Sequence, residues 1–303
     1  MPVEQRWPRL RRRLASLRDR LSRASLPTRA VSNPPVDELP KAWLSDEEDA
    51  LVPPRRLWLG PRDSISHYYR GVWEYLAYLQ LLGELRRESA VLELGCGHGR
   101  TAHGLLQYLR HPGQYRGLDV DRRSLEEARS RIQSGHPIFQ FLWADVYNRH
   151  YNPSSTVRAE SFVFPLEVAS FDVIYAASLF THLLPDEAQN YLRESGRVLR
   201  RDGRCLFSFF LLDYYRGPGT AISPAYEVEH ALPGHAGVAV RDLTSPDNLI
   251  AYSQGNVHAL AERAGLRVVR VIPGLWSNSP GWAVHEQDLV LFGPRDAPSS
   301  REP

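Results

Sequence analysis

The chain has 303 residues, 43% of them hydrophobic, which allows one large domain with a buried core, or one domain with appendages. Its net charge of +2 gives no reason to expect nucleic acid, and its apolar runs fall short of the roughly 20 residues that span a bilayer. The N-terminus lacks the apolar segment of a signal peptide, and two cysteines indicate no disulfide framework, so we expect a cytoplasmic protein.

The first elements in chain order are a basic arm and a proline-rich linker. Residues 4–23 are strongly basic and place Trp7 and a series of leucines at helical spacing. Such a helix can lie on an anionic membrane surface, or pack on its own domain or on a partner. Prolines recur from residue 27 to 64, so we assign residues 1–64 to a helical and extended arm with a linker. A peripheral membrane contact through residues 4–23 is one of the alternatives.

The pattern from residue 65 to 295 predicts a single α/β domain. An aromatic-rich helix comes first, and strands then alternate with helices of about 10 to 15 residues, which is typical of a doubly wound sheet. The last helix is followed by two strands that we expect to form an antiparallel hairpin at one edge. We therefore predict a Rossmann-like, mostly parallel, seven-stranded sheet. The first five predicted strands are 90–95, 114–120, 138–146, 171–178 and 204–212.

Two segments do not fit the alternation, at residues 146–168 and 213–250. Both follow the carboxyl ends of strands, where open α/β sheets bind their ligands. Long loops in a compact domain are usually functional or mobile. We expect these two, with the aromatic-rich helix, to form caps over an acceptor site, and residues 296–303 to be a flexible tail.

The run VLELGCGHGR at residues 91–100 places three glycines within five positions after a buried strand. Glycines this close let a backbone approach a ligand, although many turns use glycine for positive φ alone. A dinucleotide site would need a glycine where Arg100 stands, and Glu93 would repel a pyrophosphate. Asp119 closes the second strand, where a carboxylate can bind both hydroxyls of a ribose. This pattern disfavours a nicotinamide-dependent oxidoreductase.

At these motifs the chain resembles the class I S-adenosylmethionine-dependent methyltransferases. VLELGCGHGR looks like their first motif, YRGLDV like the second and FLWADV like the third. Residues 171–210 resemble their fourth through fifth strands, and the match covers about residues 88–212, extending more loosely to 293. The segments FTHLLPDE and GRCLFSFFLLD resemble bacterial members linked to glycan or natural-product tailoring. The resemblance implies a methyltransferase fold and S-adenosylmethionine as the cofactor.

The resemblance also implies which residues surround the methionine part of the cofactor. Gly95, Gly97 and Gly99 would let backbone amides reach it, with Cys96 as a small packing residue in the same loop. Glu93 would sit beneath the loop, where it organises the loop or meets the methionine ammonium.

A second implied set surrounds the adenosine part. Asp119 would take the ribose hydroxyls, with Val120 against the adenine. Asp145 would accept from the adenine amino group, with Val146 beside it; the alternative for Asp145 is a strand-ending cap. Ser178, after the fourth strand, would lie near the sulfonium.

His182 is the candidate for catalysis, because it follows the fourth strand in the loop that should face the transferring methyl. A hydroxyl acceptor gains from a general base, and histidine titrates near neutral pH. The alternative is a histidine that only hydrogen-bonds its loop or the cofactor carboxylate.

We predict no metal, since acids such as Asp186 and Glu187 are common at a helix N-terminus. Weaker candidates for the acceptor site are His67, Tyr68 and Tyr69, which precede the aromatic helix, and Tyr151, Asp213 and Tyr214 in the caps.

The sequence favours an S-adenosylmethionine-dependent methyltransferase, O-directed, acting on a saccharide or another small metabolite. A fold alone does not establish an activity. The alternative is therefore an inactive methyltransferase-fold scaffold that docks on a membrane or a partner protein through the basic arm.

Overall fold

The structure is a computed structural model that describes residues 50–54, 65–217, 226–277, 283 and 285–296. The predicted basic arm at residues 4–23 and the tail from 297 onward lie outside the described residues, and so does most of the linker. In the described ranges, no helix is long and apolar enough to cross a membrane.

The described chain alternates between strands and helices from residue 90 onward. The helices are α1 (Ile65–Leu81), α2 (Arg100–Tyr108), α3 (Arg122–Ala128), α4 (Pro185–Val198) and α5 (Gln254–Arg263). The strands are β1 (Ala90–Leu94), β2 (Gln114–Asp119), β3 (Phe139–Trp143), β4 (Phe171–Ala176), β5 (Leu199–Phe209), β6 (His230–Ala231), β7 (Val238–Val240), β8 (Ile250–Tyr252), β9 (Leu266–Ile272) and β10 (Asp288–Pro294).

The main sheet has seven strands in the order β3-β2-β1-β4-β5-β10-β9. The pairings from β3 to β5 are parallel, whereas β10 runs antiparallel to both β5 and β9. The predicted Rossmann-like sheet with an antiparallel edge hairpin is therefore confirmed. The order reverses at β1 and β4, so the carboxyl ends of these two strands flank the crevice where such sheets bind ligands.

Both faces of this sheet are covered, which explains why its strands read as nearly continuous apolar runs. Residues alternate between the faces, so Leu92, Ile174 and Phe207 belong to the core on the α4 side. Tyr115 and Tyr175 belong to the core on the opposite side, beneath α1 and α2. The aromatic-rich helix thus contributes to the core, and only part of its surface is free to line a site.

The third strand ends earlier than predicted. β3 stops at Trp143, and the Val146 amide donates to the Ala144 carbonyl at 2.9 Å, which turns the chain. Asp145 and Val146 therefore lie beyond the strand, at the start of the first predicted cap.

The second predicted cap contains a small antiparallel sheet with the order β6-β7-β8. Its strands are two or three residues long, too short for hydrophobic periodicity to mark them. The Tyr252 amide donates to the Phe210 carbonyl at 2.8 Å, and the Ile250 amide to the Thr181 carbonyl at 2.9 Å. The small sheet is thereby fastened to the ligand-binding edge of the main sheet.

Asp288, the first residue of β10, has a fully buried carboxylate. It accepts hydrogen bonds from the Leu211 amide at 2.7 Å, the Gly274 amide at 2.6 Å and the Trp276 indole. Burial raises the pKa of this carboxyl to about 6, against the effect of its donors. The carboxylate therefore ties the exit of β5 to the connection between β9 and β10.

We expect Asp288→Ala to lower the free energy of unfolding by about 3 kcal/mol, because three buried donors lose their acceptor. For a domain of this size, Tm in thermal denaturation should fall by roughly 10 °C. Asp202→Ala is the control, since Asp202 is exposed on β5 and its replacement should shift Tm by less than about 2 °C. Equal shifts in the two variants would contradict this role for Asp288.

Candidate functional site

The three glycines of the loop after β1 have left-handed backbone conformations, with φ of +74° at Gly95, +50° at Gly97 and +82° at Gly99. Side chains rarely adopt such angles, which explains the choice of glycine. A Cβ at Gly97 would meet no atom within 4 Å, whereas one at Gly99 would lie 2.9 Å from Ile132. Gly99 is thus packed in the interior, and Gly95 and Gly97 form the open side of the loop.

Asp119, at the end of β2, holds this loop in place. One carboxylate oxygen accepts from the Gly97 amide at 2.6 Å, and the other accepts from the Asp121 amide at 2.8 Å. Burial raises the pKa of Asp119, and these backbone donors oppose the rise. The structure therefore brings the predicted ribose-binding carboxylate into direct contact with the predicted methionine-binding loop.

Glu93 is buried beneath the loop, with 3% of its surface exposed, and accepts a hydrogen bond from the Tyr115 hydroxyl. Burial raises the pKa of the Glu93 carboxyl to about 7, against this hydrogen bond and the positive charge of Arg100. Cys96 is also buried, and burial raises the pKa of its thiol. Its sulfur packs over Gly117, where a Cβ would lie 2.7 Å from Sγ. The Cys96 side chain therefore packs inside the domain.

The Arg100 side chain crosses α1 at Gly71, where a Cβ would lie only 2.8 Å from Nε. Its charge lowers the pKa of Glu93 beneath the loop. Burial, with a smaller effect of Arg100, lowers the pKa of His98 to about 4, so this imidazole is neutral at pH 7. In the sequence, Arg100 stands out only because a glycine is missing there. Gly71 leaves the space that the Arg100 side chain needs, but this relation is visible only once α1 packs against α2.

The structure places His67, Tyr68 and Tyr69 in the first turns of α1, which begins at Ile65, and not before the helix as the sequence suggested. Tyr68 and Tyr69 are 3% and 7% exposed. The Tyr68 hydroxyl lies 3.2 Å from His103 Nδ1. These two tyrosines pack between α1 and α2, which leaves little of either ring to contact an acceptor.

Asp145 and Val146 begin the first cap on the adenosine side. Asp145 is exposed, and its Oδ1 accepts from the Asn152 amide nitrogen at 3.0 Å, whereas Val146 is buried. The same Asn152 side chain donates to the Val146 carbonyl at 3.1 Å. Tyr151 stands beside it with 48% of its surface exposed. Val120 is partly buried against the core below. Asp145 therefore has a local structural partner, and one of its oxygens is left for another.

His182 is exposed on the loop after β4, and its Nδ1 lies 2.9 Å from the carbonyl oxygen of Asp247. A carbonyl only accepts, so the neutral ring donates from Nδ1 and keeps the lone pair on Nε2. Arg149 of the first cap donates to the hydroxyl of Ser245 at 2.9 Å and lies 3.9 Å from the carboxylate of Asp247. The two predicted caps therefore meet beside His182.

The other predicted polar residues have structural partners. Asp213 accepts from the Gln254 amide at 2.6 Å and so caps the first turn of α5. Tyr214 is half-buried against the core. Glu187 accepts from the Leu184 amide at 2.8 Å at the start of α4. Among the described residues, no group of three or more histidine, cysteine or acidic side chains could hold a metal ion.

Residues 92–205 match the family described as Methyltransferase domain. The match covers less than half of the chain. The chain is 32% identical over 145 residues to the uncharacterized methyltransferase YcgJ of Bacillus subtilis, covering 47% of each protein. It is 29% identical over 168 residues to the tRNA N(3)-methylcytidine methyltransferase Mettl2 of Drosophila melanogaster, covering 46% of this chain and 47% of that protein. The chain thus spans about half the length of these curated relatives.

Solved structures share the fold. One is the PH0226 protein of Pyrococcus horikoshii, at 18% identity, with 78% of this chain and 92% of that chain covered and a TM-score of 0.50. The S-adenosylmethionine cofactor expected from the sequence agrees with the family match over residues 92–205. The comparisons do not single out the glycan or natural-product type that the sequence suggested.

Glu93 predicts a pH dependence of stability in the absence of cofactor. Its pKa rises from an ordinary 4.5 to about 7 on folding, so the folded chain holds the proton more tightly. This contribution to stability is complete below pH 4.5 and is lost as the pH rises through about 7.

Glu93→Gln should remove that contribution, so the Tm of the variant relative to wild type should rise between pH 5.5 and 8.5, on the order of a few degrees. Thermal denaturation in buffers of equal ionic strength measures the difference. Glu126→Gln, at an exposed position of α3, should keep a constant difference. A constant difference for Glu93→Gln as well would show that the Glu93 carboxyl is not perturbed by folding.

Proposed function

We propose that this chain is an S-adenosylmethionine-dependent methyltransferase that methylates a hydroxyl of a saccharide or another small metabolite. The observation that carries the proposal is the open side of the glycine loop at Gly95 and Gly97, tied to Asp119 by the 2.6 Å hydrogen bond. This arrangement offers a backbone surface and a carboxylate to one ligand. A scaffold protein would have no use for it.

The residues around the loop fit the charges of the cofactor. Its methionine part carries an ammonium and a carboxylate, and Glu93 in its ionised form and Arg100 supply one charge of each sign beside the loop. Asp119 would take the ribose hydroxyls, with Val120 next to the adenine. The free oxygen of Asp145 would accept from the adenine amino group. In this assignment Glu93 binds the ammonium and Arg100 binds the carboxylate of the same amino-acid group. The contact at one end of the group therefore restricts where the other end lies.

His182 would act as the general base. When bound, S-adenosylmethionine supplies an electrophilic methyl group, so the main tasks of the protein are to align the acceptor and exclude water. The Asp247 carbonyl orients the His182 ring and leaves Nε2 free to take the hydroxyl proton as the acceptor oxygen bonds to the methyl. A hydroxyl acceptor gains from such a base, because an alcohol is a weak nucleophile at pH 7.

The acceptor class is open to a direct experiment. The meeting of the caps at Arg149 and Asp247 suits a small polar acceptor held near His182. One relative is named for methylation of tRNA, so the small net charge is not a reason to leave RNA out. Transfer of labelled methyl to nucleotide sugars, lipid-linked glycans, small hydroxylated metabolites and tRNA would decide among them, with mass spectrometry of the product. Labelling of RNA alone would overturn the small-molecule acceptor.

Asp119→Ala should weaken binding of S-adenosylmethionine by roughly 100-fold, because the ribose loses its partner and the glycine loop loses the hydrogen bond from the Gly97 amide to a charged group. Isothermal titration calorimetry measures the change. Asp172→Asn is the matched control, since Asp172 accepts from the Ala90 amide at 2.7 Å at the opposite end of the strands. It should change the affinity by less than about threefold. Comparable losses in both variants would indicate general destabilisation.

His182→Ala should reduce turnover of the acceptor found in the screen by roughly 10² to 10⁴, with cofactor affinity unchanged. His182→Gln tests the same point, because its amide can donate to the Asp247 carbonyl but cannot serve as a base. Both variants should therefore lose activity in a single-turnover assay. Full activity in the glutamine variant would limit His182 to orienting its loop.

A further inference from the structure

Ser178, two residues after β4, has a left-handed backbone with φ of +57°. Residues other than glycine seldom adopt this conformation, and where they do, the surrounding structure holds them there. Groups around Ser178 must therefore hold it in this conformation, and the conformation directs the path of the chain after β4.

Two buried side chains from separate segments of the chain hold Ser178. The Ser178 amide donates to the hydroxyl of Ser208 on β5 at 2.7 Å. The Ser178 hydroxyl donates to Oε1 of Gln287, just before β10, at 3.1 Å. Ser208 is fully buried and Gln287 is 7% exposed, whereas Ser178 itself is exposed. Both bonds run to the single residue that carries the unfavourable φ.

The conformation of Ser178 sets the position of the next residue against the glycine loop. A Cβ at Gly95 would lie 3.6 Å from Cβ of Leu179 and 3.7 Å from its Cδ1, which is ordinary contact. Gly95 belongs to the open side of the loop. The turn at Ser178 and Leu179 is therefore the opposite wall at this point of the crevice, and its placement fixes how far that wall stands from the loop backbone.

We propose that Ser208 and Gln287 are positioning residues that hold the Ser178 turn against the glycine loop and so set the shape of the sulfur end of the cofactor site. The proposal rests on the proposed function, because it takes S-adenosylmethionine as the ligand of that loop. Neither residue touches the ligand in this role; each acts through Ser178. If their role were only structural, replacing Ser208 or Gln287 would change stability. The ratio of the affinities for S-adenosylmethionine and S-adenosylhomocysteine would then stay unaltered.

The test compares two buried serines by calorimetry with S-adenosylmethionine and S-adenosylhomocysteine, which differ only by the methyl and its sulfonium charge. Ser208→Ala should weaken S-adenosylmethionine binding by roughly tenfold and change the ratio of the two affinities by at least about threefold. Ser195→Ala is the matched control. Ser195 is fully buried in α4 and donates to the Tyr191 carbonyl at 2.7 Å, so its loss should alter both affinities by less than about twofold. Gln287→Leu should act in the same direction as Ser208→Ala.

A double-mutant cycle separates positioning from stability. Glycine adopts φ of +57° without strain, so in a Ser178→Gly background the turn no longer depends on its two partners. The effect of Ser208→Ala on the affinity ratio should then shrink to less than about twofold, as should that of Gln287→Leu. Thermal denaturation of all variants, with and without S-adenosylhomocysteine, verifies that each is folded at the temperature of the titration.

Three outcomes would overturn the proposal. In the first, Ser208→Ala and Ser195→Ala have the same effect on the affinity ratio. In the second, the full effect of Ser208→Ala persists in the Ser178→Gly background. In the third, the wild-type chain binds neither compound; the methyl-donor assignment itself then fails, and this result is distinct from the other two because it appears before any variant is made.

Discussion

The hydrogen bond between the Asp119 carboxylate and the Gly97 amide is the constraint on which the rest of the site depends. A carboxylate at the end of a buried strand needs donors, and here backbone amides on both sides supply them. To bring the Gly97 amide to Asp119, the loop after β1 must curl through three residues with positive φ. The curl turns Gly95 and Gly97 toward open space and buries Gly99 against Ile132. This one bond thus joins the end of β2 to the loop that leads from β1 into α2.

Around this loop, the other walls come from segments that converge at the carboxyl edge of the sheet. Asp288 joins the exit of β5 to the β9–β10 connection through buried donors. The small sheet joins the same edge through Tyr252, and the caps meet at Arg149 and Asp247. Each of these links is either a hydrogen bond to a backbone group or a charged pair. The apolar core therefore stabilises the sheet, and polar interactions position the loops at its carboxyl edge. This separation suits a binding site, because the loops can be positioned without changing the core.

Much of the fold follows from local pattern. Apolar runs of five or six residues between amphipathic helices indicated the parallel strands, and the final pair of strands indicated the edge hairpin. The sheet β6-β7-β8 escaped prediction because two or three residues carry no period. The end of β3 was misplaced because ADV continues the apolar pattern, while the turn at Ala144 depends on a backbone bond. Propensity and periodicity describe whole segments, and both errors lie where individual backbone hydrogen bonds decide the conformation.

By itself, the sequence predicted the glycine loop and the carboxylate that meets it, because Gly95, Gly97 and Asp119 stand at fixed offsets from strand ends in one continuous stretch of chain. Tertiary structure alone decided the rest. Ser178 and Gln287 are 109 positions apart and meet only because β10 inserts beside β5. The position of the Arg100 side chain depends on how α1 packs over α2, and the free nitrogen of His182 depends on a carbonyl of the second cap. Contacts between distant segments arise from packing, and no spacing in the sequence records them.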